Sequence, residues 1–89
     1  MYSKSTVIIN KSGLHARPAS AFAQSAGRFT SELTVENAKT GRRANAKSIV
    51  MLLTLGLNQG AGIKISAEGP DERQAVDTLI GLVDSGLGE

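Results

Sequence analysis

A single histidine occurs in the chain, His15, and Arg17 follows it two residues on. The two sit where the loop residues Ser12-Gly13-Leu14 run into a helical pattern, and that place gives them chemistry. A helix start offers backbone N–H groups without intrahelical partners and a partial positive charge, which together suit an anion. Imidazole is nucleophilic when neutral, and the ordinary histidine pKa of ~6.5 leaves it largely neutral at pH 7. A guanidinium adds a permanent cation whose planar fork matches phosphate oxygens. Gly13 lets the chain turn sharply enough to expose the ring. A phosphoryl group on the His15 ring would therefore meet donors and a cation already in place. The competing reading is a surface histidine capping a helix beside an unrelated arginine, and residue pattern alone leaves both open.

Other chemistries fit less well. There is no cysteine, so disulfides, thiolate nucleophiles and Cys-based zinc sites are absent. One histidine without a nearby carboxylate cluster supplies too few ligands for a metal. A Ser-His-Asp arrangement needs a water-excluding pocket that a chain of 89 residues has little room to build. No P-loop or Rossmann glycine pattern is present. Net charge is +2, too small a surplus to argue for nucleic acid. Its distribution says more: Arg17, Arg28, Lys39, Arg42, Arg43 and Lys47 precede the acidic Asp71, Glu72, Asp77, Asp84 and Glu89. A locally basic face steers toward acidic partners, although a solvated mixed surface gives the same composition. The apolar stretch near the N-terminus is too short for a signal peptide or a bilayer span, so a cytoplasmic location is expected, without membrane insertion.

The elements that must position His15 follow from periodicity. Thr6 to Asn10 is β-branched and predicts a first strand. From Ala16 to Gly27, the residues Ala19, Phe22, Ala23 and Ala26 line one helical face, with Pro18 in the first turn and Gly27 as the stop. Glu32 to Glu36 alternates as a strand with one dry face. Asn37 to Gly41 predicts a hairpin loop, with Arg42 and Arg43 opening a short polar edge strand. Ser48 is a good N-cap for a second helix carrying Ile49, Leu52 and Leu53 on one side, and Leu55-Gly56-Leu57 ends it. Ile63 to Glu68 alternates again. Gly69-Pro70-Asp71-Glu72 opens a last helix with carboxylates at its positive end, and Ala75, Val76, Leu79, Ile80, Leu82 and Val83 give it a wide apolar face. The order β-α-β-β-α-β-α predicts an α+β two-layer domain over residues 1–89, with one sheet face under the helices. With 40% hydrophobic and only 3% aromatic residues, its core must be aliphatic.

Gly13-Leu14-His15-Ala16-Arg17-Pro18-Ala19 resembles the active-site signature of HPr, the phosphocarrier family of the bacterial phosphoenolpyruvate:sugar phosphotransferase system. Lys47-Ser48-Ile49-Val50-Met51-Leu52-Leu53-Thr54-Leu55-Gly56 resembles the family's second signature, at the right distance. Ile65-Ser66-Ala67-Glu68-Gly69 adds to a likeness that runs from end to end. The resemblance implies an open-faced sandwich, a four-stranded antiparallel sheet with three helices on one side. It implies a carrier rather than an enzyme, without cofactor or metal. His15 would take phosphate on Nδ1 from the phosphohistidine of enzyme I and hand it to IIA domains of sugar permeases. Arg17 would stabilise the phosphorylated state.

Two further expectations depend on that reading. If Ile49, Leu52 and Leu53 face the core, Val50 and Met51 point elsewhere. Exposed apolar residues beside the site would form a docking patch from Ala16, Ser20, Ile49, Val50, Met51 and Leu53, although each could instead complete the core. In Gram-positive HPr proteins the serine matching Ser48 is phosphorylated by an ATP-dependent HPr kinase/phosphorylase, and the product acts through a transcriptional regulator. The alternative is therefore a regulatory HPr-like protein that works mainly by binding transcription or nitrogen-metabolism regulators. Nothing in the sequence calls for an oligomer, so a monomer is expected. The hairpin from Glu36 to Arg43 is longer and more basic than the family pattern, and the tail after Val83 also departs from it.

Overall fold

The computed structural model describes residues 1–88; Glu89, counted above among the acidic residues, lies outside them. The elements are β1 (Tyr2–Val7), α1 (Ala16–Ala26), β2 (Glu32–Asn37), β3 (Arg43–Asn45), α2 (Ile49–Leu53), β4 (Gly62–Glu68) and α3 (Glu72–Asp84). The expected order of elements holds. All four strands join one antiparallel sheet in the order β1-β4-β2-β3. β3 is an edge, as its charged sequence predicts, and β1 is the other.

The dry face of the sheet comes from period-two alternation in the two central strands. β2 buries Leu33 and Val35, and β4 buries Ile63, Ile65 and Ala67. Register places Leu33 opposite Ala67 and Val35 opposite Ile65, so these rows stack into one layer. Against it α1 sets Pro18, Ala19, Phe22, Ala23 and Ala26, and α3 sets Ala75, Val76, Leu79 and Val83. Ile80 and Leu82 are only partly buried at the margin, so the buried stripe of α3 is narrower than its sequence predicts. On the open face Glu36 lies opposite both Lys64 and Arg43, and its Oε1 accepts from Arg43 Nε at 2.9 Å.

The first strand differs from the prediction. It spans Tyr2–Val7 rather than Thr6 to Asn10, because the ladder with β4 ends where Val7 meets Gly62. Its helix-facing residues are Tyr2, Lys4 and Thr6, which read as polar and hide the strand from a hydrophobic pattern. They are satisfied by α3: Tyr2 Oη donates to Asp77 at 3.0 Å, Lys4 Nζ pairs with Asp77 at 2.8 Å, and Thr6 Oγ1 donates to Asp84. The Arg73 guanidinium stands 5.2 Å from the Tyr2 ring centre. Ile8 instead enters the core from the loop, while Ile9 is exposed.

Helix α2 also differs. Leu52 is buried, but Ile49 and Leu53 are exposed. A helix of five residues buries one side chain, and Leu55 and Leu57, just beyond it, are buried as well. Gly27 does stop α1, yet at φ −64° it does so without a left-handed turn.

The carboxylates before α3 divide their work. Glu72 Oε1 accepts from the Gly69 amide at 3.3 Å, at the helix start as expected. Asp71 makes no capping bond and reaches across to the segment between α1 and β2. It accepts from the amides of Thr30 at 2.9 Å and Ser31 at 3.0 Å, and from the Ser31 hydroxyl. Gly69 permits this approach, since a Cβ there would lie 2.6 Å from Ser31 Oγ. The Ser31 hydroxyl first, then the Thr30 amide, hold the Asp71 carboxyl down at about 2, against an ordinary 3.8.

A carboxyl with a depressed folded pKa stabilises the fold above its unfolded pKa and loses that contribution as pH falls through the folded one. Asp71→Asn should therefore lower the urea midpoint at pH 7. Between pH 4 and pH 2 the gap from wild type should close, as read by circular dichroism.

Candidate functional site

The path into His15 is built from backbone. After β1, the Ile8 amide donates to Ala61 O at 2.9 Å and Ile8 O accepts from the Gly60 amide at 2.7 Å. The chain then closes a tight turn in which the Gly13 amide donates to Asn10 O at 3.1 Å. The buried Asn10 side chain spans the same turn, its Nδ2 donating to Gly13 O at 2.8 Å. Gly13 has φ +64°, and a Cβ there would lie 2.4 Å from Leu57 O and 2.8 Å from Asn58 Cα. Glycine is thus required twice, by conformation and by space. The next residue, Leu14, is buried and its amide donates to Leu57 O at 2.8 Å.

With Leu14 turned inward, extended backbone at His15 (φ −100°, ψ −166°) carries its ring outward. His15 is the N-cap residue of α1. Its carbonyl accepts from the Ala19 amide at 2.6 Å, but its side chain makes no capping bond. Pro18 has no N–H, so the first-turn amides without an intrahelical acceptor are those of Ala16 and Arg17. No acidic side chain occupies that turn. The exposed Arg17 enters none of the ion pairs among the described residues. The imidazole, two amides and the arginine side chain therefore all belong to one helix start, open to solvent.

Helix α2 packs against α1 and brings the second signature beside the first. Ile49 is 40%, Val50 74%, Met51 45% and Leu53 43% exposed, an apolar skirt on a single short helix. Ala16 is exposed and Ser20 half-buried on α1. Ser48 is the N-cap of α2 as expected, its Oγ accepting from the Met51 amide at 3.2 Å. A groove of about 510 Å³ is lined by Thr30 to Thr34, Arg43, Ala44, Asn45, Lys47 and Met51, not by His15 or Arg17. No group of three or more metal-ligating side chains exists among the described residues. No helix among them is long and apolar enough to cross a membrane.

Sequence reasoning missed Asn10, assigned to a strand, and the segment Leu57 to Gly60 against which the loop rests. An asparagine three residues before a glycine is a turn signal, and it was the only one available.

The fold is an open-faced sandwich that leaves an exposed imidazole at a helix mouth, with apolar surface on the neighbouring short helix. The family model described as "PTS HPr component phosphorylation site" matches residues 2–85. Phosphocarrier protein HPr of Haemophilus influenzae is 49% identical over 83 residues, covering 93% of this chain and 95% of its own length. The HPr-like protein Crh of Halalkalibacterium halodurans is 43% identical, covering 94% and 98%. The crystal structure of HPr-C-His from Thermoanaerobacter tengcongensis superposes with a TM-score of 0.94 at 46% identity, covering 100% of this chain and 98% of that one. HPr from the same organism has also been solved as a dimer, with a TM-score of 0.77 over the full length of both chains. The chain belongs to the HPr family, phosphocarriers of the phosphotransferase system that are not enzymes.

Gly13→Ala should push the loop off Leu57 and force a β-carbon into left-handed backbone. The expected cost is about 1–3 kcal/mol of stability, read from denaturant unfolding.

Proposed function

We propose that the chain, as one domain over residues 1–89, accepts a phosphoryl group on His15 Nδ1 from phosphorylated enzyme I. It then donates the group to IIA domains of sugar permeases. The observation that carries this is the exposed His15 ring at the start of α1, held by no side-chain bond of its own. The Nδ1 lone pair forms a bond to phosphorus as the donor's N–P bond breaks, and the released pair stays on the donor imidazole. Nothing is oxidised or reduced, and the reverse exchange passes the group onward. The Ala16 and Arg17 amides and the Arg17 guanidinium offset charge on the phosphoryl oxygens without having to reorganise. The protein needs no cofactor or metal for this exchange, works in the cytoplasm, and acts as a monomer.

Ala16, Ser20, Ile49, Val50, Met51 and Leu53 form the docking patch. Their exposure beside His15 supports that role, and the flexible Met51 suits a surface that meets several partners. Ser48 is the second functional serine in this reading. What supports it is the half-buried Ser48, whose Oγ is already bonded to a first-turn amide of α2. A kinase-added phosphate would sit on that helix end and put negative charge beside the patch, weakening acidic partners and recruiting a transcriptional regulator.

His15→Ala should abolish labelling from phosphoenolpyruvate and enzyme I, and Arg17→Ala should slow it by roughly 10- to 100-fold. The label should be acid-labile. Acid-stable label from ATP and a kinase on Ser48, with none on His15, would instead make the protein a regulator acting by binding.

Val50→Asp should raise KM for enzyme I by ~10-fold or more with little change in fold, because it puts a buried charge at the interface centre. Stopped transfer or isothermal titration reads it directly.

A further inference from the structure

The proposed relay requires His15 to sit at one place relative to the first-turn amides of α1, yet nothing holds its side chain. Its position is set by the backbone that precedes it. That backbone is a four-residue turn latched by Asn10 Nδ2 on Gly13 O, a buried bond of 2.8 Å. The latch acts where the geometry is most demanding. Gly13 is in left-handed backbone, within contact of Leu57 and Asn58, and two residues from the acceptor. The peptide between Gly13 and Leu14 is held on both sides, by Asn10 Nδ2 on its carbonyl and by Leu57 O on its amide. Loss of the Asn10 bond frees one side of the peptide plane that leads into His15. The bonds from Ile8 to Ala61 and Gly60, and from Gln59 Nε2 to Ile9 O at 3.1 Å, fix the beginning of the loop.

We propose that Asn10 is a positioning residue for phosphoryl transfer, acting through the Gly13 carbonyl to hold His15 over the helix mouth. This rests on His15 being the acceptor. The side-chain amide is the part that matters: it donates to a carbonyl, so an oxygen in its place faces Gly13 O as one acceptor against another. Asn10 touches neither phosphoryl group nor partner, and the docking patch on α2 is not altered by its loss. The effect should therefore fall on turnover at saturating donor and leave KM for the donor protein unchanged. In-line transfer is sensitive to misplacement of about 1 Å, so a loss of ~10- to 100-fold in turnover is expected.

The test compares Asn10→Asp, which keeps shape and loses the donor, with Asn10→Ala, which loses both. Val76→Ala, in the core of α3 and away from the loop, supplies a destabilised control. Phosphoryl transfer from phosphoenolpyruvate and enzyme I is measured well below each unfolding midpoint, with folded protein counted by circular dichroism. Nitrogen-15 spectra of the His15 ring are recorded in parallel, in the unphosphorylated proteins.

Asn10→Asp and Asn10→Ala should both lower turnover at constant KM and shift or split the His15 ring signals. Val76→Ala should lose stability and keep its turnover and its ring signals. Wild-type turnover in Asn10→Asp overturns the inference, as does an equal loss in Val76→Ala. Should one Asn10 variant fail to fold, the other and the ring spectra still decide. A wild-type chain that takes no label removes the acceptor role itself, a result distinct from a labelled wild type with unaffected variants.

Discussion

The approach of Gly13 to the Leu57 carbonyl is the contact on which the site depends. There is no side chain at the closest point, only backbone against backbone, with room for a hydrogen and not for a methyl group. From that contact the rest follows in order. Leu14 is forced inward onto Leu57 O, His15 is forced outward, and α1 must begin where His15 O meets the Ala19 amide. Pro18 fits because its missing N–H falls where no intrahelical bond was available. The segment that carries Leu57 is held from its other side. Asn37 Nδ2 donates to Leu55 O at 2.9 Å, and the Ala38 amide donates to Gly62 O at 3.0 Å. The segment from α2 to β4 is thus clamped between the hairpin and the loop carrying His15. Helix α2, the hairpin and the loop carrying His15 share one support.

Around this support the energy of the fold is unevenly spread. β2 and β4 contribute aliphatic rows with no polar interruption until Asn37, whose amide is satisfied by Leu55. β1 contributes a ladder and a polar seam with α3, and exposed ion pairs such as Lys4–Asp77 are weak supports in water. The tether from Asp71 to Thr30 and Ser31 is of another kind, one carboxylate spread over two amides and a hydroxyl. It ties the start of α3 to the entry of β2 and so closes the end of the sandwich away from the loop at Gly13.

What could be read from sequence was whatever periodicity or chemistry makes local. The faces of α1 and α3, the alternation of β2 and β4, the Ser48 cap and the edge character of β3 all follow from neighbours in the chain. So does the placing of His15 at a helix start, because Gly13, His15 and Pro18 lie together. β1 was misplaced because its inward residues, Tyr2, Lys4 and Thr6, are matched by Asp77 and Asp84 from the far end of the chain. For Ile49 and Leu53 the helical period points inward while the docking patch needs them outside, and they are exposed. A helix of five residues is too short for the period to decide what Leu55 and Leu57 already occupy. Asn10 carries only a local turn signal for a related reason: the turn it latches rests on Leu57, 47 residues away by number.

A carrier faces opposite demands that this arrangement balances. Its bound group must be stabilised enough to survive diffusion and loosely enough to leave. Buried ion pairs grip strongly once formed and cost several kcal/mol to break, which would trap the group. Exposed pairs contribute about 0–1 kcal/mol each, and helix-end amides in water are similarly modest. In the proposed relay an exposed Arg17 and two first-turn amides offer a shallow well, which a partner covering the skirt on α2 would deepen by excluding water. In that relay the protein therefore supplies place rather than affinity. The demand then falls on the turn behind His15 being rigid, since a shallow well cannot pull a wandering ring into line.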